Sequence, residues 1–363
     1  MFKACLHFPL MMSKAIKIDK KLGSKAISLL KKLELLDGSK KIKCVGDFLL
    51  IPILRELKDD EAQLFSRSVG PFNICIESFE SKKLRPRSLI EALDGVLSPS
   101  ELSFLPRSFD IIGDIAIIEI PPELSHAKKL IGEAIIKVHP KIKAVFAKAG
   151  PVTGIFRIRD LEHIYGEFKT LTLHKEYGCV FKVDVLRTYF SPRLSLEHHR
   201  VASQVRDGET VIDMFSGVGP FAIMIAKYAK ATVYAVDANP YAVQLLNENR
   251  KMNKLKGQVY PILGDARSIL SSCRLEKSAD RVIMNLPEKA HLFLDVACKI
   301  VKSSGVIHYY AFANGDDPIK SAESQLNKVL SSCCESGFLI LSSRKVKMIA
   351  PHKWQVAIDV KIL

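Results

Sequence analysis

Three carboxylates stand at or just beyond the ends of short apolar runs in the C-terminal half of the chain: Asp213 in VIDMF, Asp237 in VYAVD and Asp265 after VYPIL. Between the first two, DMFSGVGPF turns through Gly217 and Gly219. Apolar, β-branched runs of this length read as buried strands, and glycines after a strand let the backbone approach a ligand closely. A carboxylate at the end of the next strand, Asp237, can accept hydrogen bonds from both hydroxyls of a ribose. Asp265, in GDAR, can meet an adenine amino group or cap the helix that follows it. With Ala238 and Ala266, which directly follow two of the carboxylates, these residues outline a nucleoside pocket.

The pocket suits one class of cofactor. A dinucleotide fingerprint asks for a third small residue where a pyrophosphate rests on the helix N-terminus, whereas here position 222 is Ala behind the bulky Phe221. Asp213, ahead of the turn, would repel a pyrophosphate but favours an ammonium and a sulfonium, which points to S-adenosylmethionine. Farther on, RVIMNLPEKAH sets the amide of Asn285 beside Leu286 and the rigid Pro287, at the rim where a methyl group would be delivered. This resembles the Asn-Pro-Pro-aromatic signature of amino-group methyltransferases that act on flipped bases. The Leu and the missing aromatic argue against adenine N6, and Asn285 serves equally well as a helix cap.

These residues need a frame. From about residue 195 the chain alternates helical segments with buried strands (VIDMF, VYAVD, VYPIL, RVIMNLP, VIHYYAF) before FLILSS and QVAIDVKIL close it, a rhythm that implies a doubly wound, mostly parallel sheet. Upstream, a hairpin around Gly113, a helix over about 123–138 ended by His139-Pro140, and a second hairpin turning near Tyr177-Gly178 read as α+β. Residues 15–55 read strand, helix, strand, with Ser24 as the helix cap. The run SKKLRPRS, holding Lys82, Lys83, Arg85 and Arg87 around Pro86, reads as an exposed linker and puts a boundary between about 72 and 88.

Charge and cysteine usage narrow the class. Lys and Arg outnumber Asp and Glu by 54 to 39, a net charge of +15 that attracts a polyanion, nucleic acid first. Eight cysteines show no Cys-x-x-Cys spacing, so neither a disulfide framework nor a metal site is expected, and reduced thiols in a cytoplasmic protein are. No apolar run reaches the roughly 18–20 uncharged residues of a membrane span; even FDIIGDIAIIEI carries Asp110, Asp114 and Glu119. The opening MFKACLHFPLMMSK lacks a cleavage signature, so no secretory signal is expected, and Met1, Met11 and Met12 are alternative starts.

FRIRDLEH, TLTLHKEYG, YFSPRLSLEHHR, DMFSGVGPF, VDANP, MNLPEKAH and VIHYY together resemble the archaeal and eukaryotic tRNA (guanine-N1)-methyltransferases that act on the guanine 3′ of the anticodon, position 37. The resemblance spans nearly the whole chain. It implies a class I, Rossmann-like α/β methyltransferase domain with a mixed, mostly parallel sheet, a middle α+β domain and a small N-terminal α/β module. Placed on this sequence, these are residues 1–72 for a module binding the outer corner of tRNA, 73–150 for the middle domain, and 151–363 for the catalytic region. Within the last, 151–200 carry target-base residues and 201–363 the cofactor core. The resemblance assigns Arg157, Tyr189 and Glu197 to the target base, and His198, Asp237, Asp265 and Asn285 to S-adenosylmethionine; some relatives have Arg at the position of His198. A monomer is expected.

The chemistry independently asks for such groups. Guanine N1 carries a proton at neutral pH, so its lone pair is free to attack a methyl only once a base removes that proton. Glu197 can be that base, while Arg157 holds O6 and the charge gathering there. On pattern alone, Glu197 equally suits the first turn of a helix, Arg157 a solvated strand position and Tyr189 rim packing. Two other functions compete: transfer of the aminocarboxypropyl arm of the same cofactor to a tricyclic guanine at the same tRNA position, and non-catalytic tRNA binding. Relatives carrying out the former usually lack the N-terminal module.

Overall fold

The computed structural model describes residues 11–81, 85–272, 276–334 and 336–363. Lys82 and Lys83 of the expected basic linker, the segment preceding Met11, and Cys273 lie outside the described residues, while Arg85 and Arg87 are exposed. The chain divides into two compact units, Met1–Pro86 and Arg87–Leu363.

In the first unit an antiparallel sheet runs in the order Lys43–Val45, Phe48–Pro52, Met11–Asp19, Asn73–Phe79. Ile16, Ile18 and Ile51 pack against Ala26 and Leu30 of the helix Gly23–Lys32 and Phe65 of the helix Asp59–Ser68. Ser24 is not the cap. A short 3-10 turn, Lys20–Leu22, runs straight into the first helix, and Asp19 accepts from the Lys21 amide at 2.8 Å ahead of it. The strand Asn73–Phe79, which the sequence reading put beyond the N-terminal module, pairs with Met11–Asp19, so this unit runs past residue 72.

The second unit holds a four-stranded sheet in the order Asp110–Ile112, Ile115–Ile118, Ala144–Thr153, Ile158–Gly166, covered by the helix Lys128–Val138. Ala144–Thr153 pairs on both sides, so the break expected near residue 150 falls inside a sheet. The hairpin Leu171–Glu176 and Cys179–Asp184 follows, as the turn at Tyr177-Gly178 requires.

The larger sheet comprises β1 (Thr210–Asp213), β2 (Thr232–Asp237), β3 (Gln258–Leu263), β4 (Ala279–Met284), β5 (Val301–Asn314), β6 (Phe338–Ala350) and β7 (Lys353–Ile362). Their order is β3-β2-β1-β4-β5-β7-β6, the first five parallel and β7 antiparallel to both neighbours. Helices α1 (Ser195–Ala202), α2 (Pro220–Tyr228) and α3 (Pro240–Met252) share one core with the hairpin, whereas α4 (Ala266–Ser272), α5 (Leu294–Ile300) and α6 (Pro318–Cys333) cover the other face. The strand order reverses at β1, between β2 and β4, where open α/β sheets bind ligands beyond the strand carboxyl ends.

Candidate active site

A cavity of about 610 Å³ opens beyond the ends of β1, β2 and β4, a volume suited to a nucleoside-sized ligand. Its floor is the turn after β1. Gly217 and Gly219 have φ of +54° and +89°, and a Cβ on Gly219 would sit 2.1 Å from Leu246 Cδ1. Gly219 therefore requires glycine, and the left-handed backbone at Gly217 favours it. Gly219 precedes α2 directly, with Pro220 as its first residue, and lies behind the cavity wall that Gly217 and Pro220 form.

Asp237 lines the cavity, its Oδ2 accepting from the Gly217 amide at 2.6 Å and its Oδ1 from the Asn239 amide at 2.9 Å. Burial pushes this carboxyl above its ordinary value, and the two amides partly offset that. Asp265 accepts from the Ser268 amide through Oδ1 at 3.0 Å, at the start of the helix that follows, and lines the cavity beside Ala266. Ala238 is on the same wall. Asn285 lines the opposite side, its Oδ1 accepting from Gln355 Nε2 at 3.2 Å. Its own amide N–H groups remain free to face a ligand. Pro287 is buried behind it, its carbonyl accepting from the Phe312 amide at 3.3 Å.

Arg157 and Tyr189 meet at the cavity wall, the guanidinium 5.3 Å from the ring centroid. Arg157 is not a strand residue: it ends the turn before Ile158–Gly166 with φ +56°. A non-glycine residue there costs on the order of 1 kcal/mol. Its Nη1 lies 3.5 Å from Glu288 Oε2 and is buried without a hydrogen bond. That leaves a donor ready for an oxygen acceptor.

His198 also lines the cavity, 1% exposed, its Nε2 without a partner. Nδ1 lies 2.8 Å from Glu176 Oε2, and His174 Nε2 lies 3.3 Å from Oε1 of the same carboxylate. Burial pushes Glu176 up, but the two imidazoles outweigh it and hold the carboxyl below its ordinary range.

Four predicted residues do not reach the cavity surface: Gly219 and Pro287 lie behind its walls, and Asp213 and Glu197 lie in the protein interior. Asp213 is fully buried with neither oxygen hydrogen-bonded, and burial, eased by the Phe215 amide and reinforced by Asp237, pushes its carboxyl up to about 8. Burial favours its neutral form, and the carboxyl lies under the turn, in the sheet core, rather than on the cavity surface. Glu197, 5% exposed, is turned into the protein, accepting from Arg200 Nε at 3.0 Å and from the Tyr310 hydroxyl at 3.0 Å.

Sequence reasoning missed Gln355, Glu176, Arg200 and Asp359. The available signal was a polar residue inside an apolar run, as in QVAIDVKIL, where Gln355 and Asp359 are 1% and 3% exposed.

The comparisons with known proteins agree with this geometry. Models of the TRM5/TYW2 methyltransferase domain, the TYW2 N-terminal domain and the tRNA methyltransferase 5 N-terminal domain match residues 172–335, 89–170 and 15–61. The chain is 42% identical over 352 residues to tRNA (guanine(37)-N(1))-methyltransferase Trm5b of Pyrococcus abyssi, covering 97% of this chain and 99% of that one. The chain belongs to the TRM5/TYW2 methyltransferase family. Among solved TRM5/TYW2 structures, the complex of aTrm5 with tRNALeu superposes with a TM-score of 0.78 at 36% identity, covering 98% of this chain and 100% of that one. The tRNA(Phe) (4-demethylwyosine(37)-C(7)) aminocarboxypropyltransferase of Methanocaldococcus jannaschii is 38% identical over 257 residues, but covers only 69% of this chain while using 96% of its own. Methyltransferases of this family use S-adenosylmethionine. Among the described residues no group of His, Cys, Asp or Glu has the arrangement of a metal site, and no helix is long and apolar enough to cross a membrane.

Proposed function

We propose that this chain transfers the methyl group of S-adenosylmethionine to N1 of the guanosine at position 37 of tRNA, 3′ of the anticodon. The observation that carries this reading is the convergence, on one cavity, of a glycine turn and Asp237 suited to a nucleoside with the paired Arg157 and Tyr189 suited to a base. Asp237 and Asp265 would hold the ribose and adenine, and the unpartnered Nε2 of His198 would face the amino-acid end. Bound there, S-adenosylmethionine supplies an electrophilic methyl that needs no further activation.

The chain's own groups then have three tasks. Tyr189 stacks on the flipped guanine, and Arg157 donates to O6, where negative charge collects as N1 loses its proton. Glu197, turning away from Arg200 and Tyr310, would take that proton and leave the N1 lone pair free to accept the methyl group that the cofactor would supply. Asn285, held by Gln355, donates to the target or the cofactor and keeps the reacting atoms in line. A narrower cleft continues from Arg157, Tyr189 and Ser191 past Arg159, Arg193 and Lys347, a basic track for anticodon-loop phosphates. The N-terminal unit would take the outer corner of the tRNA.

Aminocarboxypropyl transfer is the alternative outcome of the same pocket. Alignment over nearly the full chain with a guanine-N1 methyltransferase, including the N-terminal domain, favours methyl transfer. Protein incubated with methyl-labelled S-adenosylmethionine should label a tRNA transcript carrying guanosine at position 37 and leave one carrying adenosine unlabelled, with a mass gain of one methyl group. Equal labelling of both, or a mass gain matching the aminocarboxypropyl arm, refutes the assignment.

A further inference from the structure

Beneath the cavity, Glu197 belongs to a buried charge cluster that ties the end of α1 to three strands. Arg200 Nε reaches both Glu197 oxygens at 3.2 and 3.0 Å, while its Nη1 and Nη2 grip Asp359 on β7 at 2.7 and 3.2 Å. Asp359 also accepts from Ser342 at 3.1 Å and Arg344 Nη2 at 3.2 Å on β6, and lies 2.7 Å from His308 Nδ1 on β5. Arg281 Nη1 approaches His308 Nε2 at 3.3 Å, so Nε2 must be the acceptor and Nδ1 must carry the proton donated to Asp359.

The charges facing Glu197 are Arg200 from its own helix and Arg344, at 3.7 Å, from β6, with the Tyr310 hydroxyl from β5. Counting Arg281 and its partner Glu209, 2.6 Å away, the cluster holds three guanidinium groups and three carboxylates. Arg200 also cannot follow Glu197 outward, because the two-pronged bond to Asp359 anchors it.

We infer that Arg200, anchored by Asp359 and His308, is a positioning residue that holds Glu197 in place beneath the cavity, so that the carboxylate alone moves to meet the guanine N1 proton. The inference rests on Glu197 being the base. In the proton transfer N1–H breaks, its proton bonds to Glu197 and its electron pair stays on N1, and Glu197 later releases the proton to solvent.

A double-mutant cycle on the full-length protein tests it, with single-turnover methylation of the guanosine-37 transcript as the rate, and calorimetric cofactor and tRNA affinities as controls. Asp359→Asn should slow transfer by about 100-fold, the scale of a misplaced catalytic group, and leave both affinities within about 3-fold. In a Glu197→Gln background the same change should add less than about 2-fold, because its effect passes through Glu197. Arg200→Lys, which keeps the charge but cannot bridge both carboxylates, should behave alike and decides the matter if Asp359→Asn does not fold. A wild-type rate in both variants, or an equal further loss in the Glu197→Gln background, overturns the inference. A Glu197→Gln protein with wild-type rate would instead remove the assignment of Glu197 as base.

Discussion

Asp213 offers a sharp test because its carboxyl is fully buried, lacks hydrogen-bond partners and is pushed up to about 8. Unfolding returns it to an ordinary carboxyl, which titrates near 3.8. A group raised on folding contributes stability that is complete below its unfolded value and lost as pH rises through its folded value. Between about pH 5 and 7 the native chain thus carries one proton more than the unfolded chain, costing about 1.4 kcal/mol of stability per pH unit. Asp213→Asn keeps the shape and has no proton to lose. Its stability minus that of the natural protein should rise by about 3 kcal/mol from pH 5 to 7 and flatten above about pH 8. Urea unfolding followed by the single tryptophan, Trp354 on β7, reads the unit that contains Asp213. A gap that is constant with pH, or that closes as pH rises, would mean that Asp213 is ionised in the fold and that the burial argument is wrong.

Asp237→Ala should weaken S-adenosylmethionine binding by at least about 10-fold, the scale of a charge-assisted hydrogen bond lost at a buried carboxylate; unchanged calorimetric affinity would sever Asp237 from the ribose. His308 is kept neutral by burial despite Asp359, so its stabilising share is complete above the ordinary imidazole range near pH 6.5 and is lost as pH falls below it. The stability advantage of the natural protein over His308→Gln should therefore shrink from pH 7 to 5 in urea titrations, and an advantage that grows over that interval would contradict the neutral assignment.

The primary structure carried the cofactor half of the site in readable form. Strand-end carboxylates, a glycine pair and the amide before a proline depend on local conformation, and local conformation is written in contiguous residues: Asp237, Asp265, Gly217 and Asn285 all line the cavity. Helix starts were less legible, since Ser24 does not cap its helix: a 3-10 turn capped by Asp19 runs straight into it. What only the tertiary structure decided is where charge can survive. Asp213 loses its charge because the sheet packs over it, and Glu197 is ringed by Arg200, Tyr310 and Arg344, which come from α1, β5 and β6. Asp359, 159 residues from Arg200, anchors that arrangement. Solvation and Coulomb energy depend on distance in space, and antiparallel closure of β7 onto β5 and β6 is what makes those distances short.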